Sequence, residues 1–296
     1  MMRSIFNDWN RFWFSSRPTR SLVPVRLALC LVAAAWFGSF ISHASAWFGT
    51  DGLLDASVSQ KLLEFDQSPG WQNWSPLWLS DSSALHSAWL FIGIVLSLLG
   101  AAGVGGRITL LVLWLWIVAW AHRISWLQTS VEPALVASIA YLIVEPGNSI
   151  FDRRARAAAD TERQTWRAGL TLRLLQTHWW LLVAAGVLSQ LASLIWWRGE
   201  GVWWLASAGR SNLLSVDMFR GQPSFANLLS HACIAVQLLA LWLVTIPSAR
   251  LIGIVLGGLV GCVYGLMADQ LLYAAWLCAA LVAFLPATRF GRESKP

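Results

Sequence analysis

The chain has 296 residues, of which 57% are hydrophobic and 12% are charged, and its mean hydropathy is +0.57. A soluble domain of this size carries about 25% charged residues, so the composition excludes an ordinary soluble protein and predicts a polytopic membrane protein. The net charge of +6 would indicate nucleic acid only in a soluble chain, and no nucleic-acid partner is expected. Four cysteines lie inside apolar runs without zinc or CxxC spacing, so neither a metal site nor a disulfide is indicated.

The N-terminus has the pattern of an amphipathic helix. Residues 3–16 place Trp9, Phe12 and Trp13 on one helical face and polar side chains largely on the other. This pattern predicts a helix that lies in the membrane interface, within a cytoplasmic segment covering residues 1–20.

The rest of the chain is predicted to be an all-α transmembrane bundle covering residues 21–286, followed by a cytoplasmic tail at 287–296. Seven or nine spans are alternatives to the preferred count of eight, and the Ala-x-Ala pattern ending at Ala46 leaves open a cleaved signal peptide. The longest connections are an outer loop at 43–83 and a cytoplasmic loop at 147–172. The predicted spans lie at about 22–42, 84–104, 108–122, 131–146, 174–197, 226–246, 249–267 and 269–286.

The distribution of basic residues predicts the orientation. With eight spans and a cytoplasmic N-terminus, 16 of the 21 Lys and Arg residues fall on the inner side. The charge is then 16 − 6 = +10 inside and 5 − 9 = −4 outside, which sums to +6. This asymmetry predicts a protein of the inner (cytoplasmic) membrane with both termini in the cytoplasm.

No phosphate-binding, zinc-protease or serine-hydrolase motif occurs in the chain. Polar residues at membrane depth are costly, so each of them needs a partner or a function. On the predicted topology they gather towards the outer side, where they could line one pocket formed by spans three to six. The alternative is that they are structural, with an ion pair from His122-Arg123 to Glu132 and hydrogen bonds between helices from the amides. The candidate catalytic bases are His122, Glu132 and His231, and the candidate pocket residues are Arg123, Gln190, Trp196, Trp197, Gly199, Gln237 and Tyr264.

These residues resemble motifs of the bacterial HTTM proteins, whose membrane domain is shared with vitamin K-dependent gamma-carboxylase. Arg173, Gln176 and His178 resemble the family's R-L-L-Q-x-H motif, and the helix after them leads to Gln190-Leu191. Further matching pieces are Pro24-x-Arg26, Gly49-x-Asp51-Gly52, His122-Arg123 through Glu132 to Pro146-Gly147 and Phe151-Asp152, and Trp196-x-x-Gly199 with Trp203-Trp204. The resemblance implies an eight-span membrane domain and a lipid-like or quinone-like ligand.

The departures from the family concern its chemistry. The resemblance implies a lysine base that works with vitamin K hydroquinone, and its place here falls on Gln190, or on Ser189 if the register shifts by one. Neither side chain can act as an amine base. Gln237 takes the place of a family glutamate, and Tyr264 that of a family histidine. The chain ends at Pro296, so no counterpart of the carboxylase's large lumenal domain is expected.

We therefore expect a membrane protein that does not carboxylate. Its expected role is to bind a lipid-like or quinone-like molecule, or to assist a small secreted peptide, among membrane lipids. An enzyme is the first alternative: a quinol-dependent oxidoreductase or carboxylase-like catalyst whose base is one of the three candidates above. A transporter is the second, and it is disfavoured because no span carries a charge at mid-depth.

Overall fold

The structure, a computed structural model, describes residues 2–50, 52–65, 74–149, 164–208 and 216–286. The predicted tail at 287–296, Phe151-Asp152 and most of the predicted cytoplasmic loop lie outside the described residues.

The described part of the chain is all-α, as predicted, with thirteen α-helices and one minimal β-pair. In that pair β1 (Arg17–Pro18) runs antiparallel to β2 (Gln164–Thr165), so that the segments entering α2 and α8 are joined. The helices are α1 Met2–Phe14, α2 Leu22–Ile41, α3 Ala44–Phe48, α4 Ala56–Phe65, α5 Ser83–Ala102, α6 Gly106–Arg123, α7 Val131–Val144, α8 Trp166–Ala192, α9 Leu194–Trp197, α10 Gly201–Ala208, α11 Pro223–Leu243, α12 Arg250–Met267 and α13 Leu271–Leu281.

Among the described residues, four segments are long and apolar enough to cross a membrane. They are Thr19–Ile41, Ser83–Ala102, Pro223–Leu243 and Arg250–Met267. Their outward faces carry large apolar side chains such as Phe91 (63% exposed) and Val255 (68% exposed). A face of that composition is stable against lipid rather than water. The chain therefore has the helices of a membrane protein, and the count of eight spans stays a prediction.

The remaining predicted spans are shorter or more polar than these four. The helix Val131–Val144 has 14 residues, so it is about 21 Å long and does not by itself match a hydrocarbon core of about 30 Å. The helix Gly106–Arg123 includes charged residues at both ends, Arg107 and Arg123, and three tryptophans. The segment Leu271–Phe284 is apolar, but its last turn, Val282–Phe284, is a 3₁₀ helix.

The chain divides into two compact units. The first unit comprises Ser16–Thr171. In it α2 packs along α5, and α6 packs against both α5 and α7. Gly93 of α5 allows the close approach of α2, because a Cβ atom at that position would lie about 2.8 Å from the ring of Phe37. The core of this unit includes the fully buried Trp36 and Trp120.

The second unit comprises Met1–Ser15 and Leu172–Pro296. Here α12 packs against α11 and α13. At the α12–α13 turn, Gly265 faces Ala274 so closely that a Cβ atom would clash. At the other end of α12, a Cβ on Gly253 would lie 2.5 Å from the backbone nitrogen of Val244. These contacts make glycines of α12 part of a helix-packing surface.

The predicted fifth span differs from the observed helix at both ends. The prediction was a helix from about 174 to 197, whereas α8 begins at Trp166 and ends at Ala192. With 27 residues it is about 40 Å long. Ser193 has extended backbone dihedrals (φ −94°, ψ 124°), which separate α8 from the single turn Leu194–Trp197.

Candidate functional site

The second unit contains a cavity of about 250 Å³ between α8, α12 and the start of α13. Its walls are mostly apolar. The lining residues of α8 are three or four positions apart, so they lie on one face of the helix. Those of α12 have the same spacing, so this helix also turns one face to the cavity. The residues of these two faces are Trp179, Leu182, Val183, Gly186 and Gln190 on α8, and Gly257, Val260, Gly261 and Tyr264 on α12, with Ala268 directly after α12.

Three polar side chains of the cavity wall form a hydrogen-bonded triad. The amide nitrogen of Gln190 donates to the Tyr264 hydroxyl oxygen at 2.7 Å, and the amide nitrogen of Gln237 donates to the same oxygen at 3.0 Å. The Gln237 amide also donates to Gln190 Oε1 at 3.3 Å. Gln190 and Gln237 are only 9% and 6% exposed, so the triad joins α8, α11 and α12 inside the unit.

This arrangement fixes what the triad can offer to a ligand. A phenol oxygen has two lone pairs and one hydrogen, and both lone pairs of Tyr264 are engaged by amide donors. The hydroxyl hydrogen of Tyr264 is therefore the group left to donate. An apolar cavity with one hydroxyl donor suits a lipophilic molecule that presents a carbonyl or ether oxygen.

The size of the cavity limits that molecule. A cavity of about 150 Å³ takes benzene, and sites for drug-sized ligands begin at about 300 Å³. At about 250 Å³ this cavity lies between them, so it holds a one-ring or two-ring group rather than a whole lipid.

The predicted pocket residues at the end of α8 lie beside the triad. The Trp196 ring stacks on the Tyr264 ring at 6.0 Å with an interplanar angle of 29°. Trp197 is 61% exposed, and its indole donates to the carbonyl of Leu191. Trp196 thus positions Tyr264, and Trp197 closes the turn after α8.

Gly199 has a structural reason to be glycine. Its φ of +76° lies in the left-handed region, and a Cβ atom there would collide with Asn227. Two side chains of α11 hold the turn in place: Asn227 donates to the carbonyl of Arg198 at 2.8 Å, and the Ser230 hydroxyl donates to the carbonyl of Gly199 at 2.9 Å. Neither Asn227 nor Ser230 was among the predicted pocket residues.

The segment Arg173-Leu174-Leu175-Gln176-Thr177-His178 contacts the 3₁₀ turn Val282–Phe284, the last described helical turn. Arg173 donates to Gln176 Oε1 at 2.9 Å, and the Gln176 amide donates to the carbonyl of Ala283 at 2.7 Å. A carbonyl at a helix end lacks an intrahelical partner, so the Gln176 amide satisfies it. The ring of His178 lies 5.6 Å from that of Trp276, within the same unit.

In the first unit, Arg123 is buried (1% exposed) at the end of α6. Its guanidinium donates to the Ser59 hydroxyl at 2.9 Å and to the carbonyl of Leu54 at 2.7 Å, and it lies 3.8 Å from the Asp81 carboxylate. It also stacks over the Phe48 ring at 4.9 Å. Arg123 therefore contacts three points of the segment that was predicted as a loop at 43–83, and its carboxylate partner is Asp81 rather than Glu132, the predicted partner.

The same loop has a capped helix. Asp55 Oδ1 accepts from the backbone N–H of Val58 at 2.7 Å and from the Ser57 hydroxyl at 2.9 Å, as an N-cap residue does. The Val58 backbone bond, followed by the Ser57 hydroxyl bond, lowers the pKa of Asp55 below its ordinary value of 3.8.

The Glu132 carboxylate is buried (2% exposed) at the start of α7 and has three donors. Oε1 accepts from the Trp36 indole at 2.9 Å, and Oε2 accepts from the backbone N–H and the hydroxyl of Thr129 at 2.7 and 2.9 Å. A carboxylate at a helix N-terminus also interacts favourably with the helix dipole. These contacts join α2 to α7, which indicates a structural role for Glu132.

The two candidate histidines make backbone contacts. Nδ1 of His122 lies 3.0 Å from the carbonyl of Trp74, and Nδ1 of the exposed His231 lies 2.9 Å from the carbonyl of Asn227, one turn earlier in the same helix. Neither histidine nor Glu132 is among the cavity-lining residues. Within the described ranges, no group of three or more His, Cys, Asp or Glu side chains could hold a metal ion.

The predicted pocket was placed between spans three to six, whereas the residues that line the cavity lie on α8, α10, α11, α12 and α13 and in the α12–α13 turn. Gln190, Gln237 and Tyr264 were identified as pocket residues, and the structure brings these three together. Trp179 and Tyr273 were missed, although Trp179 lies eleven residues before Gln190 and therefore on the same face of one helix.

Comparison with known proteins found no matching family model, no matching curated protein and no matching solved structure.

Proposed function

We propose that this chain is an HTTM-like protein of the cytoplasmic membrane that binds a lipophilic, quinone-like molecule and does not carboxylate. The observation that carries the proposal is the Tyr264 hydroxyl, whose oxygen accepts from two buried amides and whose hydrogen is left for a ligand. A quinone ring fits this chemistry, because it is flat and apolar and carries carbonyl oxygens at its edge.

The amides of the triad also support a role without acid–base catalysis. On the HTTM resemblance, Gln190 stands at the place of the amine base, and a primary amide has no pKa near neutrality. Gln190 and Gln237 instead order the hydroxyl, since each of them donates to Tyr264. The proposed ligand is held and released rather than deprotonated by the triad.

This proposal includes the predicted setting of the protein: contact with membrane lipids and both termini in the cytoplasm. It is preferred over a quinol-dependent enzyme because none of His122, Glu132 and His231 lines the cavity.

Gly186 provides a test. It lies in the cavity wall, and a Cβ atom there would meet nothing within 4 Å, so the backbone leaves room for a side chain at this position, and we expect that of Gly186→Leu to reduce the cavity volume. Gly38 of α2 is a matched control, because a Cβ atom there also meets nothing within 4 Å.

The protein would be purified from membranes, and co-extracted lipophilic compounds would be quantified by mass spectrometry. We expect wild type and Gly38→Leu to retain a carbonyl-bearing lipophilic compound, and Gly186→Leu to lose it at least about tenfold, which corresponds to about 1.4 kcal/mol. Equal recovery from Gly186→Leu and wild type, or no such compound from either, would overturn the proposal.

A further inference from the structure

The second unit brings two thiols together that the sequence did not pair. Cys262 of α12 and Cys278 of α13 are 16 residues apart in the chain, and their sulfur atoms lie 3.8 Å from each other. The other two cysteines are different: Cys30 and Cys233 are buried at 0% and 6% exposure.

The helix pair holds these thiols in register. Contact between Gly265 and Ala274 closes the α12–α13 turn, and Gly261 lies against Leu277 one turn further on. Cys262 and Cys278 are the next residues after this second contact in each helix. A disulfide has a sulfur–sulfur distance of about 2.05 Å, so the sulfurs would need to approach by about 1.8 Å. Rotation of side chains that are already in contact can supply this movement.

The pair is open to a reagent on one side. Cys262 is exposed and Cys278 is partly exposed, and neither belongs to the cavity wall. Cys262 lies within Arg250–Met267, one of the four described segments long and apolar enough to cross a membrane. In the proposed membrane setting its exposed surface therefore faces lipid. An oxidant that reaches it must dissolve in hydrocarbon.

We propose that Cys262 and Cys278 form a redox-active dithiol that a membrane-dissolved quinone oxidises to a disulfide. The two S–H bonds break and one S–S bond forms, while two electrons and two protons pass to the quinone, which becomes a quinol. The disulfide joins α12 to α13 and so fixes one wall of the second unit. A dithiol reductant reverses the step by thiol–disulfide exchange.

Counting free thiols tests this step. The reduced, purified protein would be treated with duroquinone, whose ring is fully substituted and cannot add a thiol at an open position. It would then be denatured and labelled with a maleimide. We expect the number of labels to fall from the four present in the chain to two, with a Cys262–Cys278 cross-linked peptide that is two hydrogen atoms lighter and is cleaved by dithiothreitol.

Four single variants identify the pair. Cys262→Ser and Cys278→Ser should each keep three labels with and without duroquinone. Cys30→Ser and Cys233→Ser should each fall from three labels to one. Four labels on oxidised wild type, a cross-link that includes Cys30 or Cys233, or a cross-link between two chains would overturn the proposal. The label count does not involve the cavity ligand, so failure here and failure of the proposed function are separate results.

Discussion

Removal of a single oxygen atom, in Tyr264→Phe, tests the buried triad. The phenylalanine keeps the ring that stacks on Trp196 but removes the acceptor of two interhelical hydrogen bonds, those from Gln190 and Gln237. Hydrogen bonds between membrane helices contribute about 0.6 kcal/mol each on average, so two of them give about 1.2 kcal/mol. That value corresponds to about a sevenfold shift of the unfolding equilibrium.

The assay is unfolding in mixed micelles, followed by circular dichroism. Tyr273→Phe is the matched control, because Tyr273 lines the same cavity and stacks on Trp276 but takes no part in the triad. We expect Tyr264→Phe to lose about 1.2 kcal/mol. The upper bound is about 3 kcal/mol, the full cost of leaving the Gln190 amide unsatisfied, because the Gln237 amide keeps Gln190 Oε1 as its acceptor. Equal stability of the Tyr264→Phe and Tyr273→Phe proteins would refute the reasoning.

Three further predictions concern the loops and turns. Arg123→Met should lower the free energy of unfolding by about 1–3 kcal/mol, because it leaves the Ser59 hydroxyl and the Leu54 carbonyl without their donor. Arg107→Met should lower it by less than about 1 kcal/mol, because it removes only the exposed ion pair of 3.5 Å with Glu145. Equal losses in the two variants would contradict this prediction. Gly199→Ala should lower the melting temperature more than Gly221→Ala. Both glycines have φ near +80°, but only at Gly199 would a Cβ atom collide with a neighbouring residue. A larger decrease for Gly221→Ala would contradict this prediction. The lowered pKa of Asp55 means that its ionised form stabilises the start of α4 above its ordinary pKa, and that this stabilisation is lost as pH falls through the lowered value. The protection factors of the amides at the start of α4, which are corrected for the pH dependence of intrinsic exchange, should fall on acidification in wild type and change less with pH in Asp55→Asn. The same pH profile in the variant as in wild type would contradict the role of the carboxylate.

Apolar periodicity predicted much of the fold. The predicted spans at 84–104 and 249–267 agree closely with Ser83–Ala102 and Arg250–Met267, because capping residues or charges lie next to an uninterrupted apolar run. The end of α8 was not predicted in the same way. The apolar pattern continues past Ser193, so it does not predict the extended backbone that ends α8 at this residue.

The hydrogen-bond and ion-pair partners of the polar residues were harder to predict than the positions of the helices. The sequence placed Gln190, Gln237 and Tyr264 among the pocket residues because polar groups in apolar runs need partners. It gave no means of choosing between Asp81 and Glu132 as the partner of Arg123, since both are acidic residues near the same predicted membrane face. The contact of Cys262 with Cys278 depends on the depth at which α13 docks on α12, which composition does not record.

Equilibrium binding of duroquinone to the purified protein tests the central claim most directly. The Cys262→Ser background prevents thiol oxidation from consuming the quinone. We predict one saturable site per chain, weakened by Tyr264→Phe, abolished by Gly186→Leu and unchanged by Gly38→Leu. Binding that is as tight in Gly186→Leu as in its parent would contradict the assignment of the cavity between α8 and α12 as the ligand site.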